Sequence, residues 1–284
     1  MTTGAPAPGI ASPGERADRL ADAFARANAE GRAALVGYLP AGFPSVPGSI
    51  AAMQAMVEGG EAGGIDVLEI GLPYSDPLMD GPTIQDAVDR ALAAGTRTAS
   101  VLSVVEAVAE AVPTLVMTYW NPIERYGPDR FAADLAAAGG VGAITPDLVP
   151  EEAGPWLEAA GRSGIDPVFL VAPSSTDERI RVVGGVNRGF VYAASTMGVT
   201  GARSAVGSRA EELVGRVRPL CDLPVAVGLG VSTGAQAAEI ARYADGVIVG
   251  SAFVRALLDA PDEAAGLAAL RTLAGELAAG VRGR

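Results

Sequence analysis

The sequence predicts a (β/α)8 TIM barrel with an extra N-terminal helix, on three observations. Eight short, nearly continuous apolar runs recur along the chain, each bounded by turn residues. Stretches rich in Ala, Glu and Arg with helical periodicity lie between them. The 284 residues give room for eight such units. Apolar runs that do not alternate read as parallel strands covered on both faces. Eight of them followed by helices is the barrel count. A doubly wound open sheet is the alternative. It usually has fewer strands, and its commonest nucleotide-binding form carries a GxGxxG after the first strand, which is missing here.

Residues 1–14, MTTGAPAPGIASPG, predict a disordered leader, with neither the basic region nor the apolar stretch of a signal peptide. Glu15–Arg32 follows as a helix, with Leu20, Phe24 and Ala27 at helical spacing and Gly31 near its end. The eight runs are AALVGYLP (33–40), DVLEIGLP (66–73), TLVMTYW (114–120), VGAITPDL (141–148), PVFLVAP (167–173), FVYAAS (190–195), PVAVGLG (224–230) and GVIVGSAF (246–253). Residues 15–284 read as one barrel domain. The second and third runs start at 66 and 114, wider apart than the rest, and SDPLMDGPTIQDAVDRALAAG between them reads as a long loop. STMGVTGARSAVGS, after the sixth run, reads the same way. Barrel active sites are built from loops at the C-terminal ends of strands, so function is expected beside these two.

Composition narrows the chemistry. The chain has no His, and all 21 of its basic residues are Arg. Without His there is no Ser-His-Asp or Cys-His nucleophile and no His-ligated zinc. Without Lys there is no Schiff-base aldolase and no pyridoxal-phosphate lysine. A net charge of −12 argues against a nucleic-acid partner. The single Cys221 excludes an intramolecular disulfide and fits a reducing compartment. Mean hydropathy is +0.30, yet no apolar run reaches a membrane span, so a cytoplasmic, non-membrane protein is expected.

Carboxylates remain. Alternation in DVLEIGLP puts Val67, Glu69 and Gly71 on one face and Leu68 and Ile70 on the other. If the latter pack on helices, Glu69 points into the barrel, where burial raises a carboxyl's pKa into the range of a general acid–base. An interior Glu held by a hydroxyl or an Arg is the structural alternative. Asp76 and Asp80 follow in SDPLMDGPT. Either fits a turn, and either could pair with Glu69 as a second carboxylate in a different environment. The glycine-rich ends MGVTGAR, GLGVSTG and VGSAF make either tight turns or backbone-amide cradles for a phosphate. Tyr192 in FVYAAS offers a hydroxyl at the barrel mouth, or simply a core aromatic. Cys221 precedes the seventh run, at the end of the barrel away from catalysis.

LEIGLPYSDPLMDGPTIQ (68–85), with YAASTMGVTGAR, GLGVST and VIVGSAF in the same order, resembles the tryptophan synthase α-subunit family from about Ala33 to Phe253. The resemblance implies retro-aldol cleavage of indole-3-glycerol phosphate to indole and glyceraldehyde 3-phosphate in L-tryptophan biosynthesis. It places the catalytic carboxylates on Glu69 and Asp80 and a tyrosine near Glu69 on Tyr192. Phosphate contacts fall on Gly201, Gly230, Gly250 and Ser251, and the indole pocket on Tyr38, Met117 and Leu229. Thr200 resembles the residue whose loop closure orders the loop-2 Asp, while Thr196 departs from an Arg found in better-known members. The resemblance also implies an α2β2 assembly with a β subunit that carries pyridoxal phosphate, contacted around Pro73 and Asp76, and no cofactor in this chain. A stand-alone indole-releasing lyase would keep the same residues. A non-catalytic allosteric scaffold for a β subunit would not need them.

Overall fold

The structure, a computed structural model, describes residues 13–194, 203–228 and 230–283. The predicted leader lies almost wholly outside these residues. Among the described residues nine strands form one sheet: β1 Ala34–Pro40, β2 Val67–Gly71, β3 Thr114–Met117, β4 Gly142–Ile144, β5 Asp166–Val168, β6 Leu170–Val171, β7 Val191–Ala194, β8 Val225–Gly228 and β9 Gly246–Val249. Their order is β5-β4-β3-β2-β1-β9-β8-β7-β6, with every described pairing parallel. The two edge strands, β5 and β6, are the halves of the fifth apolar run, so the chain itself bridges the edges of the sheet. The barrel expected from the sequence is the fold observed.

The fifth run breaks at Phe169, and a side chain fills the gap. Asn187 Oδ1 accepts the Phe169 N–H at 2.8 Å, while its Nδ2 donates to Phe169 O at 3.0 Å and Phe190 O at 3.1 Å. One buried amide thus replaces the missing ladder bonds. Asn187→Leu is expected to destabilise the chain by about 2–3 kcal/mol, because it leaves the Phe169 N–H buried without a partner. Chemical denaturation with an unchanged m-value and a lower midpoint checks this.

Two loops predicted as long are shorter. Only 72–81 follows β2 as loop, since Pro82–Ala93 is a helix, with Pro in its first turn and Ala87, Val88 and Ala91 buried. Pro fixes a helical φ where no N–H is needed, and three buried positions over so polar a stretch were too few to show periodicity. After the sixth run, the helix Arg203–Val217 begins inside the segment read as loop, and 195–202 lies outside the described residues. The third and eighth runs end early as strands, giving way to helices at Trp120 and Ser251.

The interior has two levels. The helix Pro13–Ala29 plugs the N-terminal mouth with Leu20, Ala23, Phe24 and Ala27 against Val36, Val67, Leu115 and Phe190. Phe24 and Phe190 lie with ring centroids 5.2 Å apart. With that end filled, the opening left among the described residues is at the C-terminal ends of the strands. On the outside, Leu68 and Ile70 join the barrel–helix core, as their alternation requires. The helix Glu263–Val281 is long and apolar enough to cross a membrane by length and composition, which the run-by-run reading did not register. Its Leu270, Ala274, Leu277, Ala278 and Val281 are instead buried in this fold.

Candidate active site

Above the plug a cavity of about 190 Å3 opens among the C-terminal strand ends. It is roomier than the ~150 Å3 apolar cavity that accepts benzene, so a fused bicyclic ring is within its capacity. Tyr38 from β1, Glu69 from β2, Met117 from β3, Leu170 from β6 and Tyr192 from β7 line its walls. Met79, Asp80 and Ile84 close one side, and Gly228, Gly230, Gly250 and Ser251 another.

Glu69 is the centre of this arrangement. It has no solvent exposure, and neither carboxyl oxygen has a hydrogen-bond partner among the described residues. The structural alternative, an interior Glu held by a hydroxyl or Arg, is therefore not what is observed. Burial alone raises its pKa from 4.5 to about 8. An unpaired carboxylate in such a place costs several kcal/mol, so the group is protonated at neutral pH. Tyr38 sits opposite Glu69 in the β1–β2 register. Burial lifts the Tyr38 and Tyr192 phenols well above their usual range, with Glu69 and Asp80 adding to the rise, so both hydroxyls stay protonated.

The two tyrosines depend on missing side chains. A Cβ on Gly71 would strike the Tyr38 hydroxyl, and one on Gly228 would lie 2.7 Å from the Tyr192 hydroxyl. Glycine at these two strand ends is thus the condition for two phenols to lie over the barrel mouth.

Asp80 is half-buried at the cavity wall, and of the two loop aspartates it is the one that borders the cavity. Asp76 is exposed, accepts the Ser75 hydroxyl at 2.6 Å, and does not line the cavity. Desolvation raises the Asp80 carboxyl above the ordinary range, and the Tyr119 hydroxyl beside it works the other way. Pro73, expected at a partner contact, is buried within the chain, so of that pair only Asp76 presents surface.

The two helix N-termini expected to face an anion differ. That of Gly234–Ala241 is capped by Thr233, and the Ser232 N–H is taken by Gln236 Oε1 at 2.8 Å. That of Ser251–Leu258, preceded by Gly250, has no side-chain cap and borders the cavity. Its uncapped Ser251 and Ala252 amides and positive dipole end suit a phosphate. Gly230 reaches the same cavity at φ +65°. Gly201, Thr200, Thr196 and Leu229 lie outside the described residues. Cys221 is a partly buried thiol packed near Gly184, remote from these groups. Among the described residues no cluster of three or more potential metal ligands occurs.

A family model described as tryptophan synthase alpha chain matches residues 24–282. The chain belongs to that family. A tryptophan synthase alpha chain from Thermobifida fusca (strain YX) is 63% identical over 263 residues, covering 91% of this chain and 96% of the relative. A solved structure of Mycobacterium tuberculosis tryptophan synthase superposes with a TM-score of 0.85 at 58% identity, over 93% of this chain and 98% of that one. A tryptophan synthase subunit alpha from Legionella pneumophila str. Paris, at 31% identity, still gives 0.82, over 93% and 98%. As a member of the tryptophan synthase alpha chain family the protein is a carbon–carbon lyase of tryptophan biosynthesis that cleaves indole-3-glycerol phosphate.

Sequence reasoning did not single out Met79, Ile84, Leu170, Ala194 or Ile248, all of which line the cavity. Leu170 was accessible, as the inward residue two after Val168 on the same run. Ile84 was hidden by the reading of its segment as loop.

Proposed function

We propose that Glu69 and Asp80 carry the cleavage, with Glu69 as the acid–base group and Asp80 as the electrostatic partner. The observation that supports this most is the buried, unpartnered Glu69 carboxyl in a cavity that Asp80 and the uncapped Ser251 helix also border. Glu69 gives its proton to indole C3, leaving a cationic indolenine. The carboxylate so formed takes the proton of the hydroxyl on the adjacent glycerol carbon. As that oxygen becomes a carbonyl the C–C bond breaks, its electron pair neutralising the ring nitrogen cation. Asp80 accepts the hydrogen bond of indole N1–H and stabilises the charge developing there. Tyr38, Met117 and Leu229 hold the indole, Tyr192 and Thr200 its surroundings, and Gly201, Gly230, Gly250 and Ser251 the phosphate. Local amides rather than net charge would then bind the anion, so a −12 chain is no obstacle.

The working assembly in this proposal is α2β2, residues 15–284 forming one cytoplasmic domain that meets its β partner through the Asp76 loop. Pyridoxal phosphate belongs to the partner, since this chain has no Lys to hold it as a Schiff base. Steady-state indole release from indole-3-glycerol phosphate, with and without a β subunit, tests both parts. Release that the β subunit stimulates at least tenfold is expected. Rapid release by the isolated chain, unchanged on adding the β subunit, would defeat the partner assignment, and no release in either case would defeat the catalytic one.

A further inference from the structure

The loop that carries Asp80 is tied at two points to the start of the helix Trp120–Tyr126 that follows β3. Asn121 Nδ2 donates to the Tyr74 hydroxyl at 2.9 Å, and the Met79 N–H donates to the Tyr119 hydroxyl at 2.9 Å. The rings of Tyr74 and Tyr119 lie between these bonds, centroids 5.5 Å apart. Tyr119 is buried and does not line the cavity, whereas Met79 and Asp80 do. Its oxygen already accepts a bond from the residue before Asp80, which leaves the phenolic proton to be placed. The residue after that donor is Asp80, whose side chain borders the cavity.

We propose that Tyr119 is a positioning residue for the cleavage reaction, its hydroxyl accepting the Met79 N–H and donating to the Asp80 carboxylate so that the carboxylate is aimed into the cavity before substrate arrives. The proposal rests on the assignment of Asp80 as the partner of indole N1–H. A carboxylate on a polar loop otherwise samples several rotamers, and a fixed one loses less entropy on meeting the transition state. The electrostatics agree: Tyr119 is the group that holds the Asp80 carboxyl down against its burial. The other titratable groups facing Asp80 are Tyr38 and Tyr192, both neutral, with Glu69 on the same cavity.

The test is Tyr119→Phe in the assembled enzyme, which keeps the ring contact with Tyr74 and removes only the hydroxyl. Loss of one hydrogen bond to a charged group predicts a kcat lower by about tenfold, with KM within about threefold. The acid limb of the kcat/KM profile is expected to move to higher pH, and the Asp80 carboxyl carbon, followed by NMR titration, to move with it. In an Asp80→Asn background the same substitution should have no further effect on rate. An unmoved Asp80 titration, or a full tenfold loss that persists in the Asp80→Asn background, overturns the proposal. If the titration moves but Asp80→Asn alone leaves turnover intact, the contact stands and the catalytic assignment of Asp80 falls instead.

Discussion

Glu69→Gln is expected to lower kcat for indole release by about a thousandfold while KM stays within a fewfold, in the range typical of losing a general acid–base group. Gln keeps the volume and sits in the same apolar surroundings, so substrate still binds, but it can neither give a proton to C3 nor take one from the glycerol hydroxyl. Because Glu69 must start protonated, wild-type kcat/KM should fall above about pH 8, the value to which burial raises this carboxyl. Unchanged indole release by the Gln variant would remove Glu69 from the mechanism.

The same burial makes a stability prediction with a definite sign. The folded-state pKa of Glu69 lies above its unfolded value of 4.5, so the native state binds the extra proton. Stability is then complete below about pH 4.5 and declines as pH rises toward 8, by about 1.4 kcal/mol per pH unit and roughly 5 kcal/mol as an upper bound. Glu69→Gln has no proton to lose. The unfolding free energies of the two proteins, measured from pH 5 to 8, should therefore diverge in favour of the variant. Parallel curves would mean that the carboxyl is not desolvated in the native state.

Glu69 was legible because strand alternation is a local rule: with Leu68 and Ile70 assigned to the helices, the residue between them had to point inward. The glycine-rich strand ends were legible for the same reason. The break at Phe169 was not, because the groups that permit it belong to Asn187, eighteen residues further on. A continuous apolar run carries no mark of where its hydrogen bonds go. Tyr119 stayed hidden in a similar way. As part of TLVMTYW it reads as one more apolar residue, and only the fold brings it beside Met79, forty positions earlier. Local patterning reveals which residues face the cavity, whereas the bonds that hold them still connect elements far apart in sequence.

Asp80→Asn separates two aspartates that local sequence rules could not tell apart. Asn retains the size, the loop position and one carbonyl acceptor for indole N1–H, but not the negative charge. If Asp80 acts on the positive charge that develops at N1, that charge is the larger part of its effect, and kcat should drop about 100- to 1,000-fold with KM nearly unchanged. The ionised form is the active one, so the acid limb of the pH profile that Asp80 governs should vanish in the variant. Asp76→Asn is the control. Its carboxylate lies in solvent with the Ser75 hydroxyl and away from the cavity, so turnover of the isolated chain should stay within twofold of wild type. Equal losses from both substitutions would indicate that the loop responds to charge in general. A loss at Asp80 alone would tie the effect to the carboxylate that borders the cavity, where an indole nitrogen can reach it.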